Sequence, residues 1–288
     1  MAGCAHAGPA APLVPEANRT AWAAGCEDWD EWDKPAAPYR IHGSSYYVGT
    51  CGISAILIVG ESGLVLIDTG TEPGSKVIEA NIAALGFAMS DVKAILTSHE
   101  HYDHVGGLAR LQQLSGGAPV FTSAEAAPVL RTGKDNPRDP QAGLHDPMRP
   151  VTGEIRTVAD GEKLNIAGVT ITGVGTPGHT LGAMSWQWES CESERCVTVV
   201  FGDSLTAVSS DEYRFTDHPE YVAIFRRGIE RLAQLDCELL LTPHPSASGM
   251  PARLKGETPW IDAGACRAYA EVVTERLDGR LAKEAEAK

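Results

Sequence analysis

The sequence lacks a hydrophobic run that could cross a membrane, since no apolar stretch approaches the roughly 18 to 20 residues of a transmembrane helix. Basic residues are also few: 24 lysines and arginines stand against 38 aspartates and glutamates, a formal net charge of −14. Nucleic-acid binding needs a basic face for the phosphate backbone. We therefore expect neither a transmembrane segment nor a nucleic-acid partner. With 288 residues, of which 43% are hydrophobic, the chain can bury a substantial core.

The sequence also lacks any Cys-x-x-Cys pair, which argues against a structural zinc knuckle. Its 7 cysteines are nevertheless many for a reduced cytosolic protein and favour an oxidising compartment such as the periplasm. Buried free thiols are the alternative, and connectivity cannot be fixed from sequence. The most economical pairs are Cys191 with Cys196, Cys26 with Cys51, and Cys237 with Cys266.

The N-terminal segment is rich in alanine and proline, and we predict a flexible tail over residues 1–21 and a folded domain over 22–288. Ala-Gly-Cys at residues 2–4 resembles the end of a bacterial lipoprotein signal. One interpretation is therefore an exported protein with a lipid anchor at Cys4, whose signal peptide has been removed. The other is an unpaired cysteine in a tail.

From Tyr39 onward, short apolar runs alternate with stretches of helical periodicity, which predicts an α/β fold. The pattern restarts after a Pro- and Asp-rich loop at 133–150, so we expect two similar halves, 39–150 and 151–288, although no exact repeat is present. No coiled-coil pattern demands a partner, and a monomer is the default expectation.

Four predicted strands each end in a polar cluster. The clusters are the segment His99 to His104, then His179, the pair Asp203 and Ser204, and His244. Because α/β enzymes place their sites at a common edge of the strands, we expect these side chains to meet there.

The first cluster has the pattern His-x-His-x-Asp-His, made of His99, His101, Asp103 and His104. Four such groups in one turn are costly unless a cation binds them, and imidazole and carboxylate are ligands that zinc prefers. Alternate positions point in different directions, so the cluster predicts two ions, each completed by a distant histidine, His179 or His244. Two zinc ions lower the pKa of a water between them, which then attacks as hydroxide, and Asp103 could orient it. The same ligands could hold iron for redox chemistry.

The motifs SHEHYDHVGG, TPGHT, FGDSL and TPHP, with LIDTG upstream, resemble the metallo-β-lactamase superfamily. The resemblance covers nearly all of the chain from about residue 22 and implies a four-layered αβ/βα sandwich with a di-zinc site at one edge between the two sheets. Closer features are similar to subclass B3 of the true metallo-β-lactamases. This implies His99, His101 and His179 at one zinc, and Asp103, His104 and His244 at the other.

The subclass resemblance also implies roles beyond the metal ligands. Ser204, and Thr206 less directly, would hold the substrate carboxylate, while Gln141 and Tyr39 would border the groove. The subclass typically has a disulfide that matches Cys237 to Cys266, and some members have two more that match the other economical pairs. Glu100 is a departure, because alanine is more common between the first two histidines.

The leading functional hypothesis is zinc-dependent hydrolysis of the β-lactam amide of penicillins, cephalosporins and carbapenems, an antibiotic-resistance activity. The alternative is a glyoxalase-like thioester or lactone hydrolase in which Asp203 bridges the metals. A non-catalytic zinc-binding protein is a third hypothesis, and it predicts a degraded ligand set, whereas all six positions are intact.

Overall fold

The structure is a computed structural model that describes residues 17–287 of the chain. Its strands are β1 (Tyr39–His42), β2 (Ser45–Tyr47), β3 (Ile56–Val59), β4 (Leu64–Ile67), β5 (Val92–Leu96), β6 (Val120–Thr122), β7 (Ile155–Thr157), β8 (Lys163–Ile166), β9 (Val169–Gly175), β10 (Met184–Glu192), β11 (Arg195–Phe201) and β12 (Leu239–Leu241). Its helices are α1 (Ala17–Gly25), α2 (Gly74–Ala84), α3 (Tyr102–Val105), α4 (Leu108–Leu114), α5 (Ala127–Thr132), α6 (Pro219–Ala233), α7 (Met250–Leu254) and α8 (Ala265–Glu286).

The first sheet has seven strands in the order β1 to β7. Strands β1 to β4 pair antiparallel as successive hairpins, and β4 to β7 pair parallel, with helices in the crossovers. The sequences Ile-Leu-Ile-Val of β3 and Leu-Val-Leu-Ile of β4 are buried at every position, as expected for strands covered on both faces.

The second sheet has five strands in the order β12-β11-β10-β9-β8. Its inner face packs on the first sheet, where Ile58 and Ile67 meet Trp186 and Phe201 in one core cluster. A second cluster joins α2 and α4 to the outer face of the first sheet, and a third joins α6 and α8 to the outer face of the second. The result is the predicted four-layered αβ/βα sandwich.

Two predicted boundaries differ from the structure. Residues 17–21 belong to α1 instead of a flexible tail, and the Arg19 side chain donates from Nε to the carbonyl oxygen of Arg40 at 2.9 Å. The division near residue 150 is also displaced, because β7 lies beyond it and still pairs with β6 in the first sheet. The prediction for Cys4 lies outside the described residues.

The three economical cysteine pairs are disulfides in the structure: Cys26–Cys51, Cys191–Cys196 and Cys237–Cys266. The first ties the end of α1 to the loop after β2, the second crosses the β10–β11 hairpin, and the third ties the start of β12 to α8. Three disulfides fit a protein that folds in an oxidising compartment. Among residues 17–287, no helix is both long and apolar enough to span a membrane.

Candidate metal centre and active site

The predicted cluster assembles at one edge of the molecule, between the two sheets. Strand β5 of the first sheet leads into the His99 segment and α3, while the loops after β9, β11 and β12 of the second sheet bring His179, Asp203 and His244. The imidazole ring centroids of His99 and His179 lie 4.8 Å apart, and those of His104 and His244 lie 5.0 Å apart. Hydrogen-bonded strands of both sheets thus support a single group of side chains.

Three histidines form one half of this group, and each has one ring nitrogen held by an oxygen acceptor. The holding contacts are His99 Nδ1 to Asp203 Oδ1 at 2.8 Å, His101 Nε2 to Asp139 Oδ2 at 2.8 Å, and His179 Nδ1 to the carbonyl oxygen of Thr206 at 2.9 Å. One ligand atom of each histidine lies within 4.8 Å of one from each of the others. His101 Nδ1 and His179 Nε2 are 3.2 Å apart, and His99 Nε2 is buried without a hydrogen-bond partner.

The other half of the group contains Asp103, His104 and His244. Asp103 Oδ2 lies 3.0 Å from His104 Nε2 and 3.3 Å from His244 Nε2. Both nitrogens of His104 are buried without a hydrogen bond, and its Nδ1 lies 3.7 Å from Asp68 Oδ2. Asp68 is itself fixed, because Ser98 donates to it from the backbone N–H at 2.7 Å and from Oγ at 2.6 Å.

Burial and mutual contact set the protonation states of these groups. Burial lowers the pKa of His99 well below its usual range, and the neighbouring histidines lower it further. Burial and the nearby His101 lower the pKa of His179 to about 3. Burial acts to raise the pKa of Asp103, but His104 and His244 outweigh it and hold this pKa well below its usual range. At neutral pH these two imidazoles are neutral and this carboxylate is ionised, which are their metal-binding forms.

Two further carboxyl groups, those of Asp68 and Asp203, are buried behind the proposed ligands without a compensating positive charge. Burial raises the pKa of Asp68 to about 8 and raises the pKa of Asp203 well above its usual range. Buried acids and imidazole nitrogens without partners are stabilised when a cation binds among them. The residues present therefore fit divalent metal ions, and the predominance of histidine with carboxylate and no cysteine ligand suits zinc.

Two of the four predicted groove residues, Gln141 and Thr206, contact His179 of this group, and a third, Ser204, follows Asp203 in the chain. Gln141 Nε2 lies 3.4 Å from His179 Nε2. Thr206 contacts His179 through its carbonyl oxygen and places Oγ1 3.2 Å from His179 Nδ1. Ser204 is buried directly after Asp203, in the turn that follows β11.

Tyr39 does not belong to the site, in contrast to the prediction. Its side chain is fully buried in the core between the sheets, stacked on Tyr47 with ring centroids 5.1 Å apart. Its hydroxyl donates to Met250 Sδ at 2.8 Å. The Tyr39 side chain points from β1 into the core between the sheets, so it does not reach the groove.

Asp203 occupies a supporting position. Its Oδ1 contacts Nδ1 of His99, whereas Nε2, on the opposite side of that ring, is buried without a hydrogen bond and is the nitrogen left for a metal ion. Asp203 also lies outside the groups of residues that could hold a metal within the described chain. This geometry argues against the bridging role that the thioesterase alternative requires.

Several residues of the site carried no signal in the sequence. Asp139 lies in the long loop, where its Oδ1 accepts from the Gln141 N–H at 2.7 Å and its Oδ2 contacts His101. Trp29 and Trp32, which are 57% and 39% exposed, place their rings 6.0 and 6.5 Å from the ring of His244. The LIDTG motif could have indicated Asp68, but only the fold identifies what the others contact.

The chain belongs to the metallo-β-lactamase superfamily, whose family model matches residues 48–244. Its fold is similar to that of the MIM-2 metallo-β-lactamase, at 49% sequence identity and a TM-score of 0.86, over 96% of this chain and all of that one. It is also similar to MEM-A1, a subclass B3 metallo-β-lactamase isolated from a soil metagenome library. That chain is 40% identical with a TM-score of 0.85, over 90% of this chain and 100% of that one.

A sequence relative of another activity matches a smaller part of the chain. The hydroxyacylglutathione hydrolase of Pseudomonas putida (strain GB-1) is 34% identical over 92 residues, which are 32% of this chain and 26% of that protein. The match thus spans about a quarter of the length of this relative. The similarity to the B3 enzyme, in contrast, extends over most of both chains.

Proposed function

We propose that the protein hydrolyses the amide bond of β-lactams, including penicillins, cephalosporins and carbapenems, with two zinc ions as its cofactors. The observation that carries the proposal is the paired site: three histidines backed by acceptors, beside a group of Asp103, His104 and His244. The likeness to metallo-β-lactamases over nearly the whole chain supports it.

The proposed ligands divide into two sets, each drawn from both sheets. His99, His101 and His179 would hold one zinc, and Asp103, His104 and His244 the other. When bound, the zinc ions would polarise the lactam carbonyl, lower the pKa of a water molecule, and receive the negative charge of the leaving nitrogen.

The surrounding residues orient these ligands. Asp203, Asp139 and the carbonyl of Thr206 fix which nitrogen of each histidine faces inward, which keeps the imidazoles in one tautomer and orientation. Asp103 is ionised and can accept a hydrogen bond from the attacking water, which would orient it towards the carbonyl.

Substrate binding would use the groove beside the metal ligands. Ser204 and Thr206 would bind the lactam carboxylate directly or through water. The contacts of Thr206 and Gln141 with His179 support this proposal, since they bring both residues beside the ligands. On the opposite side, Trp29 and Trp32 expose indole surface near His244, which suits apolar substituents of the drug.

The proposal includes export. Three disulfides and the similarity to β-lactamases favour a periplasmic protein, with a lipid anchor at Cys4 as one possible form and a monomer as the expected assembly. Acylation can be checked by mass spectrometry of the protein isolated from bacterial membranes.

The decisive experiment is carbapenem hydrolysis by the purified protein, before and after chelation and with zinc added back. We expect activity to be lost to the chelator and restored by about two equivalents of zinc, one for each ligand set. The variant His244→Ala tests the second set, and it is expected to lose one equivalent and most of the activity. A fully zinc-loaded protein that turns over no penicillin, cephalosporin or carbapenem would contradict the proposal.

The second candidate, a thioester hydrolase, is favoured by the sequence match to hydroxyacylglutathione hydrolase. The supporting position of Asp203 behind His99 argues against it. Turnover of a glutathione thioester, measured in parallel with the lactams, distinguishes the two activities.

A further inference from the structure

Glu100 lies between two of the proposed ligands, His99 and His101, yet it is not one of the residues that could hold the metal. Its side chain is only 3% exposed. The carboxylate atom Oε2 accepts a hydrogen bond from Oγ1 of Thr180 at 2.8 Å, and Oε1 is buried without a hydrogen-bond partner. A buried carboxylate is costly, so its presence here calls for a specific role.

The Glu100–Thr180 hydrogen bond connects the two sheets at the metal site. Glu100 follows β5 of the first sheet, and Thr180 lies in the loop 176–183 between β9 and β10 of the second. Thr180 is also the residue directly after His179. One hydrogen bond thus joins Glu100, the neighbour in sequence of two proposed ligands of one ion, to Thr180, the neighbour of the third.

Close packing fixes the position of this carboxylate. A Cβ atom on Gly182 would lie 2.6 Å from Oε2 of Glu100 and 2.8 Å from Oε1, so only glycine fits there without a shift. Thr180 is fully buried. Both partners of the hydrogen bond are thus buried, and the Glu100 carboxylate packs directly against the backbone at Gly182.

The loop has other anchors, two of which hold its base, while the carbonyl oxygen of Thr206 holds the His179 ring. The Thr176 N–H donates to the carbonyl of Ala183 at 3.1 Å and closes the base of the loop, and the Met184 N–H donates to the carbonyl of Ser98 at 2.7 Å. The tip carries His179, and the Glu100 carboxylate links this tip to the segment of His99 and His101 by a hydrogen bond that uses neither ring of the proposed ligands.

We propose that Glu100 is a positioning residue for the three-histidine metal site. It acts through Thr180 to set the distance of His179 from His99 and His101, and it contacts neither metal nor substrate. The inference rests on the three-histidine site of the proposed function. It concerns the affinity of that site for zinc and does not depend on which substrate is hydrolysed.

The test compares Glu100→Ala, Glu100→Gln, Thr180→Val and the double variant Glu100→Ala/Thr180→Val. Stepwise zinc dissociation constants are measured by competition with a chromogenic chelator, together with kcat and KM for a carbapenem. Thr274→Val is the matched control, because it also removes a hydrogen-bonded threonine hydroxyl. The Thr274 hydroxyl donates to the carbonyl oxygen of Ala270 within α8, away from the site.

We expect Glu100→Ala and Thr180→Val each to weaken one of the two zinc-binding steps by roughly 10-fold to 100-fold. The double variant is expected to bind zinc with the same affinity as whichever single variant binds it less tightly, because both changes remove the same hydrogen bond. Glu100→Gln retains an acceptor for the Thr180 hydroxyl and is expected to bind zinc close to wild type. The decrease in kcat is expected to be larger than any change in KM.

Three results would overturn the proposal: wild-type zinc affinity in Thr180→Val, additive effects in the double variant, or equal weakening of both zinc-binding steps, which indicates general loss of structure. Should Glu100→Ala fail to fold, Thr180→Val and Glu100→Gln still decide the question. Failure of the proposed function is distinct, since it would appear as no lactam turnover by a wild-type protein that binds zinc.

Discussion

Replacing Gly228 by alanine is expected to displace His179 from a position outside the site. Gly228 lies in α6, where a Cβ atom would be 2.0 Å from the carbonyl oxygen of Pro177. A carbon and a carbonyl oxygen approach to roughly 3.3 Å, so α6 and the loop of Pro177 must separate by more than about 1 Å. His179 follows Pro177 by two residues, and it would move with the loop.

The size of the effect follows from this displacement. A misplacement of about 1 Å costs roughly 100-fold in rate, so we expect kcat/KM for a carbapenem to fall by about that factor in Gly228→Ala. Overpacking is also expected to lower the free energy of unfolding by about 1 to 3 kcal/mol. Stopped-flow hydrolysis of the zinc-loaded variant measures the first quantity, and urea unfolding measures the second.

Gly279→Ala is the matched control. Gly279 also lies within a helix, α8, but outside its chain neighbours and the surrounding helix backbone no atom lies within 4 Å of the position its Cβ would take. This variant is expected to gain about 0.5 to 1 kcal/mol of stability and to keep wild-type activity. If Gly228→Ala hydrolyses carbapenems at the wild-type rate, the contact does not hold the loop and the reasoning is wrong.

Three further variants test the site itself. Asp203→Ala removes the acceptor 2.8 Å from His99 Nδ1, and chelator competition is expected to show zinc affinity roughly 10- to 100-fold weaker; unchanged affinity would deny the supporting role. Ser204→Ala is expected to raise KM for lactams with little change in kcat if the hydroxyl binds the substrate carboxylate uniformly, and steady-state kinetics with an unchanged KM would remove that assignment. The pKa of His179 in the folded protein is about 3, below its ordinary value. Between pH 6.5 and 3 this histidine is therefore protonated in the unfolded chain but neutral in the folded one, so the metal-free protein loses stability as the pH falls from about 6.5 towards 3. His179→Asn is expected to reduce that slope by up to about 1.4 kcal/mol per pH unit in urea unfolding across this range, and identical slopes would refute the assignment.

Much of the fold could be predicted from the sequence because its signals are local. The apolar runs that became β3 and β4, the helical periodicity of α6, and the polar residues at the strand ends all appear in short windows. The His-x-His-x-Asp-His pattern also indicated a metal site by itself, since four ionisable groups in one turn are costly unless a cation binds them.

Other features depended on contacts between distant segments. Asp139 is 38 residues from His101, and Trp29 is more than 200 residues from His244, so no local pattern could connect them. Tyr39 shows the opposite error, because a residue expected at the groove faces the core instead. The assignment of Asp203 also changed, from a possible bridging ligand to the acceptor behind His99.

The sequence by itself determined which residues can bind metal and that their strands end together. Only the tertiary structure decided how each histidine is oriented, which acid supports it, and how the two sheets are joined beside the site by Glu100 and Thr180. The physical reason is that ligand chemistry resides in single side chains, whereas orientation and pKa arise from neighbours that the packing of the two sheets brings into contact.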